Sequence, residues 1–172
     1  IGIRQVTIDM GTDRFLVALL SDVDVWMVPL TTFLLAAAVA FATGTSWGTM
    51  GILLPVAVPL AFSLSGGDTA GVDDASVHLM VVLVGAAVLD GAIFGDHCSL
   101  ISDTTVMSSM ASSCDHVEHV RTQIPYAIVA MLAAAGAGYL LIARPDWDGP
   151  TWISYALGIT FMFLVVRFVG RK

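Results

Sequence analysis

AIFGDHCSLISDTTVMSS, residues 92–109, sets a dense run of polar side chains between apolar flanks. It carries Asp96 and Asp103, His97, Cys98, Thr104, Thr105 and several serines, with Gly95 at its head. The sequence around it is mostly Ala, Val, Leu, Ile and Phe. Such a stretch is either a solvated loop between two helices or a place where something is bound at depth. The flanks decide between the two.

With 57% hydrophobic and 12% charged residues, the chain departs from soluble domains, which run at about 45–50% apolar and ~25% charged. The mean hydropathy is +0.87, and the apolar residues come in runs, the pattern of a membrane protein. The expected fold class is an all-α integral membrane bundle. The chain opens IGIRQVTIDM, with neither an initiator Met nor a signal-peptide pattern, and so reads as a piece of a longer protein. Cys98 and Cys114 form no CxxC and read as small side chains rather than a disulfide. Acids outnumber bases by 14 to 7, and with no basic patch nucleic acid is not an expected partner.

Residues 1–24 form a mixed polar segment, and residues 25–172 form the expected membrane domain. The first apolar run, 25–41, is broken by ATGTSWGT at 42–49, and a second run, 50–64, carries Pro55 and Pro59. Both are at or below the ~17–25 residues that span a bilayer. Residues 25–64 are therefore a tight helix pair or a re-entrant hairpin with ATGTSWGT at its tip. A Gly- and Asp-rich loop follows at 65–77. Residues 78–89 are apolar but too few to cross unaided. The crossing is expected to include the polar stretch and continue into residues 106–113, making 78–113 one discontinuous transmembrane helix. Two further spans are expected at 126–143 and 152–169.

Arg121, Arg167, Arg171 and Lys172 flank one side of these spans, and the 65–77 loop carries only acidic charges. The positive-inside rule then puts the 114–123 connection and the C-terminus on the cytoplasmic side of a plasma membrane; Arg144 is a mild counter-signal. The parity works only if 78–113 crosses once, which again places the polar stretch in the membrane.

Irregular backbone survives at that depth only when its polar groups are satisfied, and each charge there costs about 2.5–3.5 kcal/mol. Asp90, Asp96 and Asp103 have no Lys or Arg within their segment, so a bound cation or a proton is the natural compensation. Carboxylate, hydroxyl and carbonyl oxygens suit a small hard cation such as Na+. Burial favours the neutral carboxyl, which lets proton and cation compete for one site. If residues 96–103 were helical, Asp96, Ser99 and Asp103 would share a face. Gly95 offers a break, and Ser102, Asp103 and Thr104 offer capping oxygens for a following half-helix. Broken helices of this kind build ion sites in secondary transporters. The candidate ligands are Asp96, Ser99, Ser102, Asp103, Thr104 and Thr105, with Asp96 and Asp103 as the Na+ carboxylates. Thr45 and Ser46, beside Gly44 and Gly48, would close the site from the hairpin. Asp90 is a further ligand, a proton site or a helix-end charge.

Other constellations carry less. His97 beside Asp96 is a proton relay or a hydrogen-bonded helix residue, and His97 with Cys98 lacks the four-ligand spacing of a zinc site. DHVEH, at 115–119, does not have the HExxH order of a zinc protease and reads as a solvated connector with Arg121 paired to an acid. Two rivals to transport are a membrane enzyme using these histidines and a non-transporting scaffold.

Two stretches carry a resemblance: GTSWGTMGILLPVAVPL at 44–60, and GAIFGDHCSLISDTTVMSSMASSCDHVEHVRTQIPYA at 91–127. They resemble the C-terminal part of the NhaC family of Na+/H+ antiporters, within the ion-transporter superfamily, over residues 25–143. The resemblance implies an integral membrane antiporter exchanging Na+ for H+, not an enzyme, with no cofactor. It implies inverted repeats of hairpins and broken helices, of which this chain is one repeat with its trailing helices. Its partners would be the lipid bilayer, the two ions, and an N-terminal half or a second copy. Family members often have proline where this chain has Leu100. Relatives in the family exchange organic acids or amines, an alternative that stands beside Na+/H+ exchange.

Overall fold

A computed structural model describes residues 24–67, 74–144, 146–147 and 149–169, and every regular element among them is helical. A single 3-10 turn, Val25–Met27, leads into α1 (Val28–Thr43). Pro29 sits in the first turn of α1, where its missing N–H leaves no bond unmade. The helix stops at Gly44, whose φ of +66° suits glycine and few other residues. Thr45 then starts α2 (Ser46–Leu64), its hydroxyl accepting the Gly48 N–H at 3.2 Å. The two helices are thus joined by a turn of only two residues.

Asp74 caps α3 (Ala75–Cys98) by accepting from the Ser76 hydroxyl and from the backbone N–H groups of Ser76 and Val77. These bonds, the Ser76 hydroxyl first, hold the Asp74 carboxyl below the usual range. The cap is therefore intact at neutral pH and weakens only as pH falls through that lowered value. After a break, α4 (Asp103–Ala111) is short; α5 (His116–Ile142) is long and includes a π-helical turn at Ala134–Tyr139. The last element is α6 (Trp152–Val169).

Helix α3 is the centre of the bundle. Val28 of α1 joins Val84 and Val88 in one apolar cluster, Phe33 lies against Gly91 and Phe41 against Gly95, so α1 runs parallel to α3. Ala57 and Ala61 of α2 pack into the first cluster, with Val58 and Phe62 lying beside Val77 and Val81, which makes α2 antiparallel. Helix α5 is antiparallel as well, since Tyr139 meets Asp90 while Gln123 and Tyr126 lie near His97. Ser154 of α6 hydrogen-bonds the Ala137 carbonyl, and α6 returns along α5. One end of the bundle therefore gathers the α1–α2 turn, the end of α3, α4, the start of α5 and the end of α6. Arg121 and Arg167 belong to that end, and Asp74 to the other.

The α1–α3 contact is backbone on backbone. A Cβ added at Gly91 would run into the Phe33 carbonyl oxygen and lie 2.9 Å from the Ala36 Cβ. One added at Gly95 would run into the Ala37 carbonyl oxygen and lie 2.8 Å from the Phe41 nitrogen. Glycines four apart against Ala36, Ala37 and Ala40 are how membrane helices come close without a hydrophobic drive between them.

Among the described residues four helices are long and apolar enough to cross a membrane: Val25–Thr43, Ser46–Leu64, Ala75–Cys98 and His116–Ile142. The crossing takes in the head of the polar stretch, as expected: α3 begins at Ala75 and runs for 24 residues through Asp90 and Asp96 to Cys98, where the helix breaks. The glycines' close packing, and hydroxyl partners for both aspartates, let the helix run on past its charges. Residues 106–111 belong to α4, beyond the break. Helix α4 folds beside the start of α5, where Ser109 meets His116. The 25–64 region is a pair of 19-residue helices, and α5 begins at His116, well before Tyr126. The expected polar segment at 1–24 lies outside the described residues except for Asp24, as do residues 68–73 of the expected 65–77 loop.

Candidate functional site

Asp96 is in the last turn of α3 and is 3% exposed. The helix ends two residues later because Ser99 turns to an extended backbone, ψ 131°. The unwound residues 99–102 are not left bare. The Ser99 hydroxyl donates to the Phe41 carbonyl at 2.9 Å, tying the break to the end of α1. The Ile101 N–H donates to the Ser99 Oγ at 3.4 Å. The Leu100 carbonyl lies 2.7 Å from His116 Nε2. Ser102 then caps α4, accepting the Thr105 N–H. Satisfying freed backbone groups in this way is what irregular structure in a membrane protein requires.

The hydroxyls of the new helix turn back on Asp96. Ser102 Oγ lies 2.8 Å from Asp96 Oδ1, and Thr104 Oγ1 lies 2.8 Å from Oδ2. The two hydroxyl oxygens are themselves 2.8 Å apart. Carboxylate and hydroxyls thus close a ring with three O···O contacts of hydrogen-bond length. A Ser or Thr hydroxyl owns one hydrogen. With Asp96 ionised, both hydrogens go to the carboxylate and the third contact has none. The ring closes when one more hydrogen is present, or when a cation draws the oxygens together.

The structure therefore brings together Asp96, Ser102 and Thr104, with Ser99 and Thr105 buried alongside. It does not bring in Asp103. The face that Asp96, Ser99 and Asp103 would share on a continuous helix does not form, because the helix is interrupted at Ser99. Asp103 opens α4, exposed, and accepts the Thr104 N–H at 2.9 Å. Thr45 and Ser46 stand next to Gly44, where an added Cβ would fall 2.8 Å from the Ile101 carbonyl oxygen. The hairpin turn thus lies directly against the break, but the Thr45 hydroxyl is engaged by its own helix. Asp90 is not a helix-end charge; it lies inside α3, 2.6 Å from the Tyr139 hydroxyl. His97 is exposed and bonds the Ile93 carbonyl at 2.7 Å, one turn back on its own helix. Among the described residues no three His, Cys, Asp or Glu side chains form a metal-binding group. A cation at the ring would meet one carboxylate with hydroxyl and carbonyl oxygens.

Sequence reasoning missed His116. Its Nδ1 lies 3.1 Å from the Ser109 hydroxyl while Nε2 holds the Leu100 carbonyl, so one imidazole ties the break to α4 and α5. The available signal was DHVEH read as a helix start. Asp115 is the N-cap and accepts the Glu118 N–H at 2.9 Å, with Glu three residues on as in a capping box. Arg121 pairs with Glu118 at 3.7 Å, both exposed, an interaction worth under about 1 kcal/mol. His116→Ala leaves the Leu100 carbonyl without this donor, a loss of about 0.5–1.5 kcal/mol for a hydrogen bond that is not buried. Amide hydrogen exchange in residues 99–105 is expected to accelerate by about two- to tenfold while the centre of α3 stays protected. Unchanged exchange there would show that the imidazole does not hold the break.

The Na+/H+ antiporter family profile matches residues 1–142, well over half of the chain. The chain belongs to the Na+/H+ antiporter family. Among relatives, an uncharacterized protein of Haemophilus influenzae is 40% identical over 141 residues, 81% of this chain and 25% of that protein. The malate-2H(+)/Na(+)-lactate antiporter of Bacillus subtilis is 34% identical over 106 residues, 62% of this chain and 20% of that protein. An uncharacterized Na(+)/H(+) antiporter of Haemophilus influenzae is 37% identical over 94 residues, 52% of this chain and 16% of that protein. The chain thus spans a quarter or less of the length of these curated relatives. No solved structure matches it at a significant level. Membership of the antiporter family, with four helices of spanning length and apolarity, makes this a multi-pass membrane protein. It also favours a transporter over an enzyme.

Proposed function

We propose that this chain is one part of a Na+/H+ antiporter of the NhaC type, in which H+ and Na+ take turns on the oxygen ring of Asp96. The observation that carries the reading is the ring's hydrogen count: three contacts, and two hydrogens when Asp96 is ionised. A proton completes the ring as a cycle in which each hydroxyl both donates and accepts. When Na+ arrives, that proton leaves, the hydroxyls turn their hydrogens outward, and their lone pairs face the ion beside the carboxylate. Only one occupant fits at a time, which is the condition for exchange rather than co-transport. Ser99 fixes the ring's floor to α1, and the hairpin turn at Gly44 covers it. The end bearing Arg121 and Arg167 faces the cytoplasm of the cell, and the remainder of the transport unit is a further half or a second copy.

The test uses the full-length protein in everted vesicles acidified inside and loaded with a pH-sensitive dye. Added Na+ is expected to release the quench, and K+ is not. A second reading, exchange of organic acids coupled to the same ions, is favoured by the likeness to the Bacillus subtilis malate/lactate antiporter. A quench released by Na+ only when lactate or malate is present would select it. No response to Na+ under either condition would end both.

A further inference from the structure

Asp90 faces away from the ring. It precedes Asp96 by six residues, about 9 Å along the axis at ~1.5 Å per residue and some 240° around it at ~100° per residue. Its carboxylate looks toward α5 and α6, where Tyr139 OH donates to Oδ2 at 2.6 Å. Tyr139 is 4% exposed and stacked on Phe33, ring centroids 5.4 Å apart, so its hydroxyl is held in place. It closes the π-helical turn of α5, where one extra residue per turn shifts the register and re-aims the side chain. Such turns recur at functional sites.

Two cavities flank the carboxylate, of about 690 Å³ and 600 Å³, both with largely apolar walls. The titratable side chains around them are Tyr139 and Tyr126 from α5, Tyr155 from α6 and His97 from α3 itself; α1 contributes Phe33. Among the described residues no Lys or Arg lines either cavity. Asp90 Oδ1 has no hydrogen-bond partner among them. There are too few oxygens here to replace the hydration shell of a metal ion, which takes six or so ligands. A proton needs only the one open oxygen.

We infer that the Asp90–Tyr139 pair is a second proton-binding site, separate from the cation ring at Asp96. The proton binds Oδ1, and Tyr139 donates to the other oxygen in both states. For its purpose the site rests on the antiporter reading, since a second titrating carboxyl raises the number of protons exchanged per cation. Its chemistry is independent of that reading.

Infrared difference spectra of the purified full-length protein, taken between low and high pH and with or without Na+, test this. A carboxylic-acid C=O band is expected to vanish as pH rises, to be missing from Asp90→Asn, and to be unmoved by Na+. Tyr139→Phe keeps the ring on Phe33 and is expected to shift this band to higher frequency by removing its hydrogen bond; it carries the test if Asp90→Asn does not fold. A spectrum unchanged in both variants overturns the inference. So does loss of a Na+-sensitive band in Asp90→Asn, which would make Asp90 a metal ligand. A Na+-sensitive band that disappears in Asp96→Asn belongs to the ring, and its absence counts against the ring alone.

Discussion

Asp96→Asn reduces Na+-driven proton movement by the full-length protein to the background of empty vesicles, at normal protein abundance. The substitution keeps the size of the side chain and removes its charge. It also puts an NH2 where the ring needs an acceptor, opposing one of the two hydroxyls that now donate to the carboxylate. Removing one partner of a buried charge pair costs about 3–5 kcal/mol. At ~1.4 kcal/mol per decade, that is at least a hundredfold in cation affinity. Glu118→Gln is the comparison, since its carboxylate makes only an exposed pair with Arg121; its exchange should match wild type. Near-normal dequenching by Asp96→Asn would remove the ring from the mechanism.

Gly95→Val is expected to be as damaging by a different route. Its Cβ would meet main-chain atoms of Ala37 and Phe41, which no rotamer change can relieve. The helices must separate, at a cost of about 1–3 kcal/mol for overpacking of this kind. Phe41 is also the residue whose carbonyl receives Ser99, so parting α1 from α3 loosens the break as well. Both thermal stability in detergent and exchange should fall. Gly85→Ala, in the same helix but with nothing near its added Cβ, is the internal control. It should be neutral or stabilising by up to about 1 kcal/mol, because alanine replaces glycine in a helix interior. A melting temperature for Gly95→Val equal to that of Gly85→Ala would refute the close-packing account.

The helical, membrane-spanning character was legible because apolar runs and polar interruptions report it directly. The restart of the helix was legible as well, since Ser102 ahead of Asp103 and Thr104 has the chemistry of a helix start; the break itself, expected at Gly95, comes four residues later, at Ser99. What was not legible depended on partners remote in sequence. Counting apolar residues halted at Asp90, yet the helix continues because Tyr139, 49 residues on, supplies a hydroxyl. Asp103 looked equivalent to Asp96 until Ser99 turned the backbone and sent the two carboxylates apart. His116 looked solvated because nothing local reveals that Leu100 lies across from it. The glycines of GAIFG, residues 91–95, were visible, but their use against Ala36, Ala37 and Ala40 required the fold.

The two-residue turn between α1 and α2 bears on how residues 99–102 keep their shape. The Ile101 backbone rests against Gly44 with no space for a single methyl group between them. Rewinding residues 99–102 into helix would carry Ile101 around the axis, and the turn stands in the way. The turn acts as a doorstop: the gap in the helix is held open by a neighbour as well as by its own bonds.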